Sequence, residues 1–104
     1  MMTRTHQNAR LLAVRHLPDE EKLILSFENL PEHEFSCVAD FVFNGFFAHN
    51  VLFGIDEYSV ETLPPRIAAE FPVLSYYLHS GEEWQIFHLS PSAGLGGIVV
   101  CATL

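Results

Sequence analysis

The sequence predicts a mainly β fold, either an antiparallel sheet or a two-layer β-sandwich of about seven strands, with one short helix near residues 64–71. Three observations carry this prediction. From residue 10 onward apolar side chains recur with a period near two, the pattern of strands with one face on a core. Pro, Gly, Asn and Asp interrupt that pattern at short intervals, where chain reversals need them. The short spacing favours neighbours in sequence pairing antiparallel rather than through long crossovers. The 104 residues are 49% apolar and 12% aromatic, which is too apolar for disorder. A chain of this length buries a core without disulfide or metal staples. Residues 1–9 read as a frayed N-terminal segment and residues 10–104 as a single β-rich domain.

The first strand is Arg10–Leu17, with Leu11, Ala13 and Arg15 on one face and Leu12, Val14 and His16 on the other. Pro18 to Lys22 is a turn, and Leu23–Glu28 returns as the second strand, burying Leu23, Leu25 and Phe27. Asn29–Glu34, which contains Pro31, reads as a polar loop. Phe35–Phe43 alternates again, with Phe35, Cys37, Ala39, Phe41 and Phe43 on one side. Asn44-Gly45 carries the turn chemistry of a two-residue hairpin, which makes Phe46–Ile55 the partner strand. A single bent strand with a bulge at Gly45 is the alternative.

Asp56–Leu63 reads as a polar connection. Pro64–Phe71 is the helix: its prolines suit a first turn, and Pro72 forces Phe71 out of helical geometry. Val73–His79 reads as a strand, turned by Ser80 to Glu83 into an antiparallel Trp84–Ser90. Pro91–Gly97 is a Gly-rich loop, and Ile98–Thr103 is the last strand. Its Ile98-Val99-Val100 run suits burial on both faces, hence a central position or the inside of a sandwich.

Composition excludes several function classes. No apolar run approaches the roughly 18 residues that span a bilayer; Phe41–Ile55 is broken by Asn44, Gly45, His49, Asn50 and Gly54. Leu11–Val14 is too short for the apolar core of a signal peptide, so a cytoplasmic protein is expected. Cys37 and Cys101 are too few for a zinc framework and read as buried free thiols. The formal net charge is −8. Residues 1–22 hold four cations against three acids, a net of +1, whereas residues 23–104 hold ten acids against Arg66 alone, a net of −9. Such a surface repels nucleic acid and anionic membranes and draws a basic partner. It also keeps a small, apolar protein soluble.

No motif specifies an enzyme. Gly94-Leu95-Gly96-Gly97 has no following helix and no nearby Lys, so it is no phosphate loop. The six histidines, at 6, 16, 33, 49, 79 and 88, include no pair at i, i+2 or i, i+4, the spacings that place two ligands on one face. Ser90 and Ser92 lack the Gly-x-Ser-x-Gly nucleophile elbow. Cys37 stands among phenylalanines and acids, a poor setting for a thiolate. No cofactor or metal is expected. What remains is a concentration of phenylalanines at positions 41, 43, 46, 47 and 53, with Tyr76 and Tyr77 later. Consecutive aromatics on a strand face opposite ways, and an uncovered apolar face marks an interface.

The order Leu23-x-Leu25-x-Phe27, an acidic loop, then Asn50-Val51-Leu52-Phe53-Gly54-Ile55-Asp56 resembles small bacterial immunity proteins of polymorphic toxin systems. So does the ending Trp84-x-Ile86-x-x-x-Ser90-x-Ser92-x-Gly94-x-Gly96-Gly97-Ile98-Val99. The resemblance is one of layout over residues 10–103. It implies a cytoplasmic, non-enzymatic inhibitor of a cognate toxin, its acidic surface set against a basic nuclease site. It assigns no site residue, because such proteins share no fixed interface.

The expected function is therefore an acidic binding protein that inhibits a basic protein partner, without enzymatic activity. Glu32, Glu34, Asp56, Glu57 and Glu61 are its candidate contact residues, joined by Phe46 and Tyr77 from the aromatic segments. A homo-oligomeric or small-ligand-binding β domain is the second expectation, with the aromatic hairpin as seam or pocket. A hidden enzyme is the third, and it would need His49, His79 and His88 to converge in one cleft.

Overall fold

The computed structural model of the chain describes residues 4–5, 9–45 and 49–103. The fold is mainly β and antiparallel, as the alternation predicts. The elements are β1 (Arg4–Thr5), β2 (Ala9–Leu17), β3 (Lys22–Phe27), β4 (Leu30–Phe35), β5 (Val38–Asn44), β6 (Asn50–Ser59), α1 (Pro65–Glu70), α2 (Leu74–Leu78), β7 (Trp84–Ala93) and β8 (Gly96–Ala102). A 3-10 turn at Pro18–Glu20 joins β2 to β3. Seven strands run in the order β4-β3-β2-β6-β7-β8-β5, and the two-residue β1 lies beside β6.

The sheet is rolled. Strands pair about 4.8 Å apart, so β4 and β7 would stand nearly 20 Å apart in a flat sheet. Instead the rings of Phe35 on β4 and Phe87 on β7 meet with centroids at 4.9 Å. His16 on β2 likewise meets Phe41 on β5 at 4.8 Å. The backbone N–H of Val38 at the start of β5 donates to the Glu21 carbonyl at 2.8 Å. These contacts close the sheet into an incomplete barrel. Its interior holds Leu11, Leu23, Leu25, Phe27, Phe35, Leu52, Ile55, Leu89, Val99 and Cys101.

A second apolar cluster lies on the outer face of β6, β7 and β8. Ile67 and Phe71 of the α1 segment and Leu74 and Tyr77 of α2 pack there on Tyr58, Ile86, Ile98 and Val100. Both faces of β8 are therefore buried, which its Ile98-Val99-Val100 run predicts. The core lies in these two layers, back to back across the same three strands.

Several local expectations hold. The β2–β3 hairpin forms, and Leu23, Leu25 and Phe27 face the interior. The first helix runs from Pro65 to Glu70, with prolines at its start and Phe71 leaving helical geometry before Pro72.

Others are corrected. Val73–His79 is not a strand; Leu74, Tyr77 and Leu78 recur at helical spacing, and α2 turns them onto the second cluster. The polar loop at Asn29–Glu34 is largely strand β4, where Pro31 is tolerated because β4 is an edge. One predicted strand is thus a helix and one predicted loop a strand, which leaves the number of long strands at seven.

The Asn44-Gly45 hairpin does not form. Gly45 does adopt positive φ (77°), but β5 pairs with β8 rather than β6. Gly97 permits that pairing, because a Cβ there would run into the Val42 carbonyl and Phe43. Trp84–Ser90 extends to Ala93 and pairs with β6 and β8. β6 continues to Ser59, through the first half of the expected polar connection. Bulges shift the faces: one between Leu11 and Ala13 puts Leu11 on the same side as Val14, and one between Val38 and Asp40 carries Val38 to the side of Phe41 and Phe43.

Candidate functional site

An acidic cleft of about 480 Å³ opens where the end of β6 meets the start of β7. Glu57, Glu61, Glu83, Trp84, Gln85 and Thr103 line it. The turn after β6 is knitted by its own side chains. The Ser59 N–H donates to Thr62 Oγ1 at 2.8 Å, and the Leu63 N–H donates to the Ser59 carbonyl at 3.1 Å. This turn leaves Glu61 exposed. Across the cleft, Gln85 Nε2 donates to Glu57 Oε2 at 3.1 Å, and Thr103 Oγ1 donates to the Glu83 carbonyl at 3.3 Å.

An aromatic wall adjoins the carboxylates. Trp84 Nε1 donates to Ser80 Oγ at 2.9 Å, and its ring stands edge-on to Tyr77 at 4.9 Å. Tyr77 in turn meets Tyr76 at 5.0 Å. Tyr76 is 72% exposed and is the most exposed large apolar side chain described.

The electrostatics of the cleft are one-sided. Glu57, Glu61, Glu82 and Glu83 are exposed, and none forms an ion pair among the described residues. Exposed carboxylates held together with no cation between them give a negative potential that draws cations. Nothing in the cleft pairs a nucleophile with a base. Among the described residues no group of three or more His, Cys, Asp or Glu side chains is arranged to hold a metal ion.

The predicted contact residues fall into four places. Glu57 and Glu61 share the acidic cleft. Glu32 and Glu34 lie on β4 at the opposite end of the strand order. There Ser26 Oγ donates to Glu32 at 2.9 Å, and Lys22 meets Glu34 at 3.4 Å. Asp56 is not on a surface connection: it is 2% exposed and lies opposite His88 on β7. Burial places it on the face that the helices cover, out of a partner's reach. Tyr77 is also buried, and its hydroxyl donates to Asp40 Oδ2 at 3.1 Å. Burial pushes the Tyr77 hydroxyl up to about 12, helped by that hydrogen bond and by the Asp40 charge. Phe46 lies outside the described residues. Of the other phenylalanines of that segment, Phe41 and Phe43 pack against the barrel interior, and Phe53 is exposed.

Sequence reasoning missed Glu83 and Trp84, and of the two tyrosines it singled out it chose Tyr77 over the exposed Tyr76. Glu82-Glu83 reads as a solvated turn, and only the pairing of β6 with β7 brings it beside Glu57. The three histidines considered for catalysis are dispersed. His49 is exposed in the loop before β6, His79 bonds the Ser75 carbonyl at the end of α2, and His88 is buried against Phe71.

A second cleft of about 450 Å³ adjoins the first at Gln85 and holds both cysteines. A third, of about 160 Å³, lies between Phe71, His88 and the glycines of the β7–β8 turn. No helix of the described residues is long and apolar enough to cross a membrane. No protein-family model matches the chain, and comparison with curated proteins and with solved structures finds no match.

Proposed function

We propose that this chain is a non-enzymatic acidic binding protein that inhibits a basic protein partner, in the manner of an immunity protein that neutralises a toxin in the cytoplasm. The observation that carries the reading is the cleft between β6 and β7. Glu57, Glu61 and Glu83 surround it without a compensating cation, beside Trp84, from which ring contacts lead through Tyr77 to the exposed Tyr76. Lysine or arginine side chains of a partner would supply the missing charge. Aromatic side chains next to them supply contact area, as they do at the energetic centres of interfaces. The negative field also accelerates encounter with a basic surface.

The test begins with a tagged pull-down from the native lysate at low and high salt, read by mass spectrometry. Binding of the captured partner is then compared between the wild type and the triple variant Glu57→Lys, Glu61→Lys, Glu83→Lys. The reading expects a basic partner that survives moderate salt, and an association rate at least about tenfold slower in the variant, with a flatter salt dependence. Unchanged affinity in the variant, or capture of nothing but further copies of the chain, overturns it.

A further inference from the structure

The second cleft joins two features that the binding function does not use. Its lining includes His33, Glu34, Phe35 and Phe87, and at its floor stand both cysteines of the chain. Both are free thiols; Cys37 is half-buried and Cys101 is buried. Val38 and Cys101 are directly opposed across the β5–β8 ladder, and the Ala102 N–H donates to the Cys37 carbonyl at 2.9 Å. Cys37 is therefore one step off the residue facing Cys101. Strand geometry puts their α-carbons roughly 6 Å apart. That lies within the range of about 4.4–6.8 Å that a disulfide bridges.

Orientation is the second requirement. On a regular strand Cys37 would point away from the face of Val38, which packs on the barrel interior with Cys101. Cys37 instead has φ of 57°, a region that side chains other than those of Gly, Asn and Asp seldom occupy. This backbone turns it into the cleft that Cys101 also lines. The two thiols also sense one another, since a charge on Cys37 opposes ionisation of Cys101.

We propose that Cys37 and Cys101 are a dithiol couple that closes to a disulfide by exchange with a low-molecular-weight disulfide entering the second cleft. Cys37, the accessible partner, goes first. Its thiolate attacks one sulfur of the incoming disulfide, forming a Cys37 mixed disulfide and releasing one small thiolate, which takes up a proton. The Cys101 thiol then loses its proton to solvent. Its thiolate attacks the Cys37 sulfur and expels the second small thiolate. Two cysteine thiols are oxidised and one small disulfide is reduced to two thiols, so the electrons balance.

The order of events follows from burial. Burial above all, then the charges of Cys37 and Glu57, pushes the Cys101 thiol up to about 12. Cys101 is thus a poor first nucleophile at neutral pH. Once Cys37 is held in a mixed disulfide it carries no charge, and that part of the opposition to Cys101 ionisation disappears. The product bond would fasten the β4–β5 joint to β8, across the opening of the incomplete barrel.

The test incubates the folded, reduced full chain with oxidised glutathione at pH 8. The reaction is quenched with acid, remaining thiols are alkylated, and intact mass and tryptic peptides are read. The wild type should lose both thiols together, gain no lasting adduct and yield a Cys37–Cys101 peptide pair. Cys101→Ser should accumulate the glutathione adduct at Cys37. In Cys37→Ser, Cys101 should react at least about tenfold more slowly than Cys37 does in the other variant. A lasting Cys37 adduct in the wild type, a disulfide-linked dimer, or two thiols that stay unreacted overturns the proposal. The wild-type measurement decides even if a serine variant fails to fold.

Discussion

Along β3, β4 and the turn between them the carboxylates are answered. Glu28 meets Arg10 at 3.0 Å, Glu34 meets Lys22 at 3.4 Å, and Glu32 accepts the Ser26 hydroxyl. At the β6–β7 end they are not. Glu57 is held by the amide of Gln85, while the side chains of Glu61 and Glu83 have no partner among the described residues. The first arrangement is ordinary surface pairing, worth about 0–1 kcal/mol per exposed pair. The second adds self-repulsion to the folded state. The difference separates acids that are paired within the fold from acids that are not, a distinction that net charge alone does not draw.

The largest expected effect concerns affinity. Charge reversal at Glu57, Glu61 and Glu83 should weaken binding of the basic partner by about tenfold or more, whereas reversal at Glu32 and Glu34 should change it less than about threefold. Equal losses at the two ends, measured by biolayer interferometry, would erase the contrast.

Alkaline stability comes next and probes the layers beneath. The Cys101 thiol moves from an ordinary 9.0 to about 12, and the Tyr77 hydroxyl from 10.0 to about 12. In both cases the folded chain keeps a proton that the unfolded chain has lost. Their contribution is therefore fully present below pH 9 and declines as pH rises towards 12. Urea midpoints should fall over that window. Cys101→Ala should flatten the part that begins near pH 9, and Tyr77→Phe the part above pH 10. A flat profile in the wild type would show that neither proton is held by the fold.

A smaller effect, of opposite sign at the two ends, concerns neutral-pH stability. At low salt, Glu61→Gln together with Glu83→Gln should raise the unfolding free energy by up to about 1 kcal/mol, by removing repulsion. Glu28→Gln should lower it by about 0.2–1 kcal/mol, by breaking the pair with Arg10. High salt should shrink both changes. The same sign for both in denaturant titrations would contradict the comparison.

The smallest effect tests how far the cleft's field reaches. Glu57 is among the charges opposing Cys101 ionisation. Glu57→Gln should lower the pH at which Cys101 alkylates, by less than burial raises it. Glu34→Gln should leave it nearer the wild-type value if the field at Cys101 comes from the β6–β7 side.

Much of the fold was legible because its signals are local. Alternation located β2, β3 and most of β5, β7 and β8, and the prolines bracketed α1. The failures lie where two readings share one string. Val73 to Leu78 satisfies both a period of two and helical spacing, and the apolar faces of Tyr58, Ile86, Ile98 and Val100 decide for the helix. Asn44-Gly45 has hairpin chemistry, yet β8, far along the chain, offers β5 a strand with glycine at the crowded contact. Asp56 looks like surface because aspartate usually is; its pairing opposite His88 puts it on the buried face that the helices cover. At the site, acidity pointed to Glu57 and Glu61. Glu83 and Trp84 needed the β6–β7 pairing, which no local pattern encodes.

The place of β8 in chain order also sets a timetable for synthesis. Both apolar clusters draw on this strand, and among the described residues β5 pairs with β8 alone. On a ribosome adding roughly 5–20 residues per second, β5 waits some seconds before residues 96–102 are made. Throughout that interval Phe41 and Phe43 sit on a strand that has no ladder, a state open to pairing with another nascent chain.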